Sequence, residues 1–386
     1  MRIRYVTSAC VVIEHRGLRV LCDPWLTDGI YYGSWFHYPP LHDAPEDFAD
    51  VDYLYLSHVH PDHLDVESLR RMPRTIPVLI LDYAEKFVRR ILVDLGFERI
   101  HEVPHGGTVS LGADFTLQLF AADNCDPALC GRFFGCGIPQ PYRQTLQIDS
   151  LAVLRGGGQR VVNVNDCPYE LAKSVCDTLS QAEDSTDLLL VGYSGAGEYP
   201  QCFDHLDDAA KLEKARAKRA QFLEQAAQYI AHLRPTAVMP FAGRYTLGGR
   251  LASLNPFRGV PELEDVPAEL EPRLKARGVS VSMVLLNAGE WFDVDTGTTS
   301  APFVPPDPVA RVRYIEDVLS KKRFIYEEDR CVDEAEQVDL ASRLEQAHGR
   351  MRTHLHQYGY RSAWRVYLDT GQPDLYGIPF DQGGVE

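Results

Sequence analysis

Residues 53–65 read YLYLSHVHPDHLD. The stretch opens with strand formers, Tyr53 to Leu56, and then sets His58, His60, Asp62 and His63 within six positions. A buried strand giving way to such a loop puts these side chains at a strand end, where active-site groups commonly sit. His58 and His60 are two residues apart, so in extended backbone they project from one side and can grip one ion. Pro61 turns the chain, which lets Asp62 and His63 face a second ion. Neutral imidazoles with a carboxylate suit zinc, iron and manganese alike. The competing reading, three solvated surface histidines, does not explain why they follow an apolar strand.

Working outward, the chain alternates strand and helix signals. YVTSACVVIE and LRVLCD around HRG read as a hairpin over the first 25 residues. IPVLILD reads as a strand and AEKFVRRILVDLG as a short amphipathic helix closed by glycine. GGTVSLGADFTLQLFAAD gives two strands, QTLQIDSLAVLRGGGQRVVNVND another pair, and TDLLLVGYS and TAVMPF one each. Residues 205–233 form the longest predicted helix, and SVSMVLLNAGEWFDV reads as a closing hairpin. This order fits an α/β architecture of two sheets packed face to face and flanked by helices. A boundary is expected in the polar, proline-rich segment 295–308, giving a domain over residues 1–300 and a small C-terminal α+β extension over 301–386.

The chain has 386 residues, 45% hydrophobic and 24% charged, enough for a substantial core. Its formal net charge of −16 argues against nonspecific nucleic-acid binding, which needs clustered Lys and Arg. No run of about 18 apolar residues exists, so no membrane span is expected. The nine cysteines are scattered, as in reduced cytoplasmic proteins. Cys125, Cys130 and Cys136 cluster without a CxxC pair, so the spacing gives little support to structural zinc.

The histidine motif resembles that of the metallo-β-lactamase superfamily, which implies a four-layer αββα sandwich with a one- or two-metal site. Three further segments, residues 21–40, 191–203 and 239–255, resemble the branch containing CMP-N-acetylneuraminate hydroxylase. The resemblance covers roughly residues 1–300 and implies later ligands at strand ends. Asp166, after the apolar RVVNV, stands where the superfamily places its bridging aspartate; helix N-cap is its competing role. At the usual third-ligand histidine this chain has Asp123, with Asn124 and Asp126 close by. The final histidine of hydrolytic members is replaced by Phe241, Ala242 and Gly243, and His205 is a weak substitute. This pattern is similar to that of the dinuclear-iron hydroxylase of chloramphenicol biosynthesis.

The expected ligands are therefore His58, His60, Asp123 and Asp166 on one ion and Asp62, His63 and Asp166 on the other. Oxygen-rich, unsaturated sites suit iron better than closed thiolate or histidine cages do, with zinc or manganese as the alternative. The ligand departures and the branch resemblance favour an O₂-activating diiron hydroxylase; the expected substrate is a small metabolite, anionic or carrier-bound, and Asp62 is the catalytic candidate. The alternatives are a zinc or manganese hydrolase of a phosphodiester, lactone or thioester, or a binding protein. No cysteine is followed two residues later by histidine, so a Rieske cluster is not encoded here and an oxygenase would need a separate electron donor. Trp35, Ser194, Glu198 and Arg244 are candidate substrate contacts. Arg143 and Arg250, and an aromatic wall of Tyr31, Tyr32 and Tyr199, are further candidates, and each has an ordinary structural reading besides.

Overall fold

Side-chain alternation along Leu188–Gly192 sets the layering. Leu188 and Leu190 join a core that also takes in Ile3, Val11 and Val20. Leu189 and Val191 are equally buried, but alternation turns them to the opposite face. A strand covered on both faces is apolar at every position, and helices must cover the second face.

The computed structural model describes residues 1–83, 86–122, 149–328, 339–357, 365–369 and 375–379. In chain order, β1 (Arg2–Thr7), β2 (Cys10–His15) and β3 (Leu18–Cys22) are followed by the two-residue β4 (Trp35–Phe36). Then come β5 (Tyr53–Tyr55), β6 (Val78–Leu81) and β7 (Ile100–Val103). The second half holds β8 (Thr108–Gly112), β9 (Phe115–Ala121), β10 (Ser150–Gly156), β11 (Gln159–Asn163), β12 (Leu188–Gly192) and β13 (Ala237–Phe241). Short strands β14 (Thr246–Leu247), β15 (Ser282–Met283), β16 (Trp291–Asp293) and β17 (Thr298–Thr299) complete the body. One sheet runs β17-β16-β1-β2-β3-β5-β6-β7 and the other β15-β13-β12-β11-β10-β9-β8, while β4 pairs with β14. A single apolar cluster joins the two sheets, through Ile13, Leu54 and Leu79 on one side and Leu117, Leu154 and Leu190 on the other.

Helices α1 (Val66–Arg70) and α2 (Phe87–Asp94) pack on the first sheet through Leu69, Val88 and Leu92. Helices α3 (Tyr169–Ser180) and α4 (Asp208–Leu233) pack on each other, and α4 also packs on β12. Asp207 caps α4, its side chain accepting from Ala210 N at 2.8 Å. Helix α5 (Val266–Lys275) lies against α4. This is the four-layer αββα sandwich that the histidine motif led us to expect. No helix among the described residues is long and apolar enough to cross a membrane, and their cysteines, Cys10, Cys22, Cys167, Cys176 and Cys202, are free thiols.

Two sequence readings need correction. YVTSACVVIE is not one strand but β1 and β2, split by a turn in which Ser8 takes φ +42°. SVSMVLLNAGEWFDV is not a hairpin: β15 pairs parallel to β13 in one sheet and β16 antiparallel to β1 in the other. Alternating apolar residues do not say which sheet offers the free edge.

The described residues fall into two compact units, the first holding everything up to Glu328. It includes helix α6 (Pro308–Asp317) and the buried Leu319 and Phe324, all beyond the boundary expected near residue 300. Glycines admit this segment: a Cβ on Gly249, where φ is +56°, would lie 2.9 Å from Lys322 O. The second unit carries α7 (Leu340–Gln357) and the hairpin of β18 (Arg365–Asp369) and β19 (Leu375–Pro379). Cys125, Cys130, Cys136 and Arg143 lie outside the described residues.

Gly249→Ala should cost about 1–3 kcal/mol in urea unfolding, because strain and a backbone clash add. Gly278 has a similar φ of +63° with no neighbour within 4 Å. Gly278→Ala should therefore cost about 1 kcal/mol. Equal losses would show that residues 319–324 do not press on Gly249.

Candidate metal centre

The site begins with the register of the first sheet. Parallel pairing of β3 with β5 sets Cys22 opposite Tyr55, and Asp23 N donates to Tyr55 O at 2.9 Å. Asp23, at φ +44° and fully buried, thus lies beside the histidine loop. Its carboxylate accepts from Ser57 N at 2.7 Å and Ser57 Oγ at 2.6 Å, and it meets His63 Nδ1 at 2.7 Å. His63 therefore turns its other nitrogen, Nε2, away from Asp23. That nitrogen is buried without a hydrogen-bond partner, 3.4 Å from Asp166 Oδ2 and 3.9 Å from Asp62 Oδ2.

The second sheet supplies Asp166. After β11 the backbone enters the left-handed region at Asn165 (φ +46°), whose Nδ2 donates to Ser150 O at 2.9 Å and Tyr55 Oη at 3.1 Å. Tyr55 Oη is also 2.8 Å from Ser150 Oγ, which donates to Ser57 O at 2.7 Å. This polar latch ties the two sheets beneath the site. Asp166 is not the cap of α3, since Pro168 holds that position.

Two groups result. His58, His60 and Asp166 form one, and Asp62, His63 and Asp166 the other, each with one atom per residue within 4.8 Å of the rest. Asp166 belongs to both. His58 Nδ1 lies 2.9 Å from Ser57 Oγ, and its Nε2 stands 2.9 Å from His60 Nδ1 and 4.0 Å from Asp166 Oδ2. The residues fit a pair of metal ions on a structural criterion: a buried imidazole nitrogen without a partner faces two carboxylates, and its ring is fixed from behind by a third.

The electrostatics agree. Burial pushes the His58 imidazole well down, reinforced by positive charge on His63. Burial also opposes charge on His63, but Asp166 and Asp23 outweigh it and raise its pKa well above the usual imidazole value. Burial would raise Asp166, yet His63 and the other histidines pull it well below the carboxylate range. Asp62 is raised by burial, and Tyr31 Oη donates to its Oδ1 at 3.1 Å. Without metal the pocket thus keeps a proton on His63, where a cation would replace it.

Three contributors escaped the sequence reading. Asp149, just before β10, is buried, and burial together with the charge of Asp166 pushes its pKa up to about 6. A lone aspartate before an apolar strand carries no signal. Asp23, followed by Pro24, reads in the sequence only as a turn at the end of a strand. Tyr31 was expected in an aromatic wall, but consecutive left-handed residues, Tyr31 (φ +50°) and Tyr32 (φ +61°), aim its hydroxyl at Asp62. Asp123, Asn124 and Asp126 lie outside the described residues.

Of the candidate substrate contacts, Trp35 and Glu198 line a cleft of about 420 Å³ with His60, Asp62, Asp166 and Tyr31. Trp35 stacks on Tyr245 at 3.8 Å between centroids. Ser194 is instead turned to the Gly243 carbonyl, donating at 3.0 Å. Arg244 lines another cavity. Arg250 Nη2 donates to Tyr326 Oη at 2.7 Å. Tyr199 lines a neighbouring hollow, and Tyr32 is largely exposed.

Asp23→Asn should lower affinity for the ion held by Asp62 and His63 about 10- to 100-fold, because the His63 ring loses its carboxylate support. Competition with a chromophoric chelator reads this directly; unchanged affinity would show that Asp23 does not orient the ligand.

Residues 18–143 match the model of the "Beta-lactamase superfamily domain". A "Putative Rieske 2Fe-2S iron-sulfur protein" of Mycolicibacterium smegmatis is 33% identical over 83% of this chain and 60% of its own length. The cytidine monophosphate-N-acetylneuraminic acid hydroxylase of Mus musculus is 23% identical over 64% of this chain and 39% of its own. Among solved structures, CmlA, a diiron beta-hydroxylase from Streptomyces venezuelae, aligns with 73% of this chain and 52% of that one, at 19% identity and a TM-score of 0.43. The chain thus spans 39 to 60% of the length of these two curated relatives. Sheet order, histidine loop and family match converge on one region: residues 18–143 match a domain of the beta-lactamase superfamily.

Proposed function

We propose that this chain is a dinuclear-metal oxygenase that hydroxylates a small metabolite, with iron in both positions. The observation that carries this reading is the composition of the two groups: three imidazoles against two carboxylates, with a third carboxylate, Asp149, buried close by. Among the described residues no fourth histidine joins them, and Phe241 to Gly243 occupy the stretch where hydrolytic relatives were expected to carry one. His58, His60 and Asp166 make a set of two imidazoles and one carboxylate, the donor pattern of non-haem ferrous sites that activate oxygen. The two curated relatives, one named as an iron–sulfur protein and the other as a hydroxylase, lean the same way.

When bound, the ions would supply the redox chemistry of dioxygen. The chain's own groups do the rest. Tyr31 stays protonated, because burial and the Asp62 charge hold its pKa up, and so it keeps a donor on Asp62. That hydrogen bond fixes which Asp62 oxygen is free to face the cleft. Trp35, braced by Tyr245, supplies a flat wall, and Glu198 an acceptor for a substrate hydroxyl or amine. Inserting one oxygen atom into a C–H bond, with the other leaving as water, consumes two electrons and two protons. We assign the electrons to a separate donor, since these residues encode no Rieske ligand pair.

Anaerobic protein loaded with ferrous ion should take up two irons per chain, one for each group. It should then consume dioxygen with dithionite as the reductant and develop a visible iron absorption. Colourless protein that keeps only zinc, ignores oxygen and reductant, and turns over a phosphodiester, lactone or thioester would replace this reading with a hydrolase.

A further inference from the structure

A second cavity, of about 340 Å³, shares no lining residue with the metal cleft. An aromatic partition of Trp25, Trp35 and Tyr245 joins residues of the two: Trp35 lines the metal cleft, while Trp25 makes a tilted ring contact with His37, a residue of the second cavity, at 3.9 Å between centroids. Arg244 lines it too. Among the described residues no carboxylate lies within ion-pair distance of this guanidinium; its nearest partners are Tyr38 O, 3.3 Å from Nη2, and the Tyr5 hydroxyl. Glu262 acts on it through space, but that carboxylate is paired with Arg311. Asp43, on the cavity wall, is taken by Arg4 through both oxygens at 2.9 Å. A part-buried guanidinium with no carboxylate in contact invites one, so a missing anion is the simplest complement.

His37 is the second, independent observation. The residue is 2% exposed, its Nδ1 lies 3.0 Å from Asp28 Oδ1, and its Nε2 is buried without a partner. With Nδ1–H turned to Asp28, Nε2 carries a lone pair and asks for a donor. Tyr193 Oη, which interacts electrostatically with Arg244, is also buried and unpartnered. The lining therefore holds a cationic fork and, close enough for that charge to act on it, a histidine with an unused acceptor.

We propose that this second cavity binds a small oxyanion carrying an O–H or N–H beside its charge, held by Arg244 through the anion and by His37 Nε2 through the donor. Hydroxy- and amino-carboxylates and singly protonated phosphate share that chemistry. The site stands apart from the metal centre and does not depend on which metal is native.

Isothermal titration calorimetry of metal-loaded protein with glycolate, glycine and inorganic phosphate tests it and separates the sources. At least one probe should bind saturably. Arg244→Met should weaken it about tenfold or more, and His37→Phe by a similar factor. Should Arg244→Met fail to fold, Arg244→Lys keeps the charge without the fork and should still weaken binding measurably. Metal-free Asp62→Ala protein should bind as the parent does. No saturable binding by any probe, affinity indifferent to the Arg244 and His37 variants, or binding lost with the metals overturns the proposal; the last outcome leaves the oxygenase reading intact.

Discussion

The contact between His63 Nδ1 and Asp23, 2.7 Å long with both side chains fully buried, is the constraint on which the rest is built. A charge pair enclosed this way is costly unless every lone pair is satisfied. Ser57 meets that demand by giving Asp23 both its backbone N–H and its hydroxyl. The register of β3 against β5 brings the three residues together, so sheet geometry and ligand geometry are one problem. Once Nδ1 is committed, Nε2 can only face the gap between Asp62 and Asp166. The site is preformed because the fold leaves that nitrogen no other place.

The same logic explains the polar latch below. A metal centre shared by two sheets is only as exact as the offset between them, and apolar packing alone is tolerant of small slips. Tyr55 reaches from the first sheet to Ser150 and Asn165 of the second, and Ser150 returns a bond to Ser57 O. Directional bonds at this seam hold Asp166 over the histidine loop. Asn165 takes a left-handed backbone to make its contacts, strain that the closed network keeps in place.

How much of this was legible in the chain divides by range of interaction. Layering and the strand-end histidines follow from local periodicity and a compact motif, Asp166 from the family resemblance, and the structure brings His58, His60, Asp62, His63 and Asp166 together. Asp149 could not be found that way, since its burial arises from a strand pairing, Ser150 with Ala121, that no local pattern announces. Nor could the separate fates of β15 and β16, or the turn at Tyr31 and Tyr32, where bulky residues adopt a conformation their types disfavour. Arg244 was read only as a candidate substrate contact near the mouth of the site. The left-handed residues Ala242 and Gly243 precede it, and it comes to line the second cavity instead.

Charge distribution ties the two cavities together. A chain of net charge −16 repels anions at long range, so an anionic ligand is held only where a local cation outweighs the surface field. The metal centre has such cations only when loaded, because its own groups are acidic and its one strongly basic imidazole is already balanced by Asp23 and Asp166. Arg244, by contrast, is cationic at any accessible pH, sits within the body, and is flanked by carboxylates already committed to Arg4 and Arg311. Each cavity therefore has its own source of positive charge: imported ions for the cleft beside Asp166, and a built-in guanidinium for the one beyond the aromatic partition. Carboxylates cluster at the first and are tied up around the second, a division that keeps metal ions and organic anions from competing for one set of side chains.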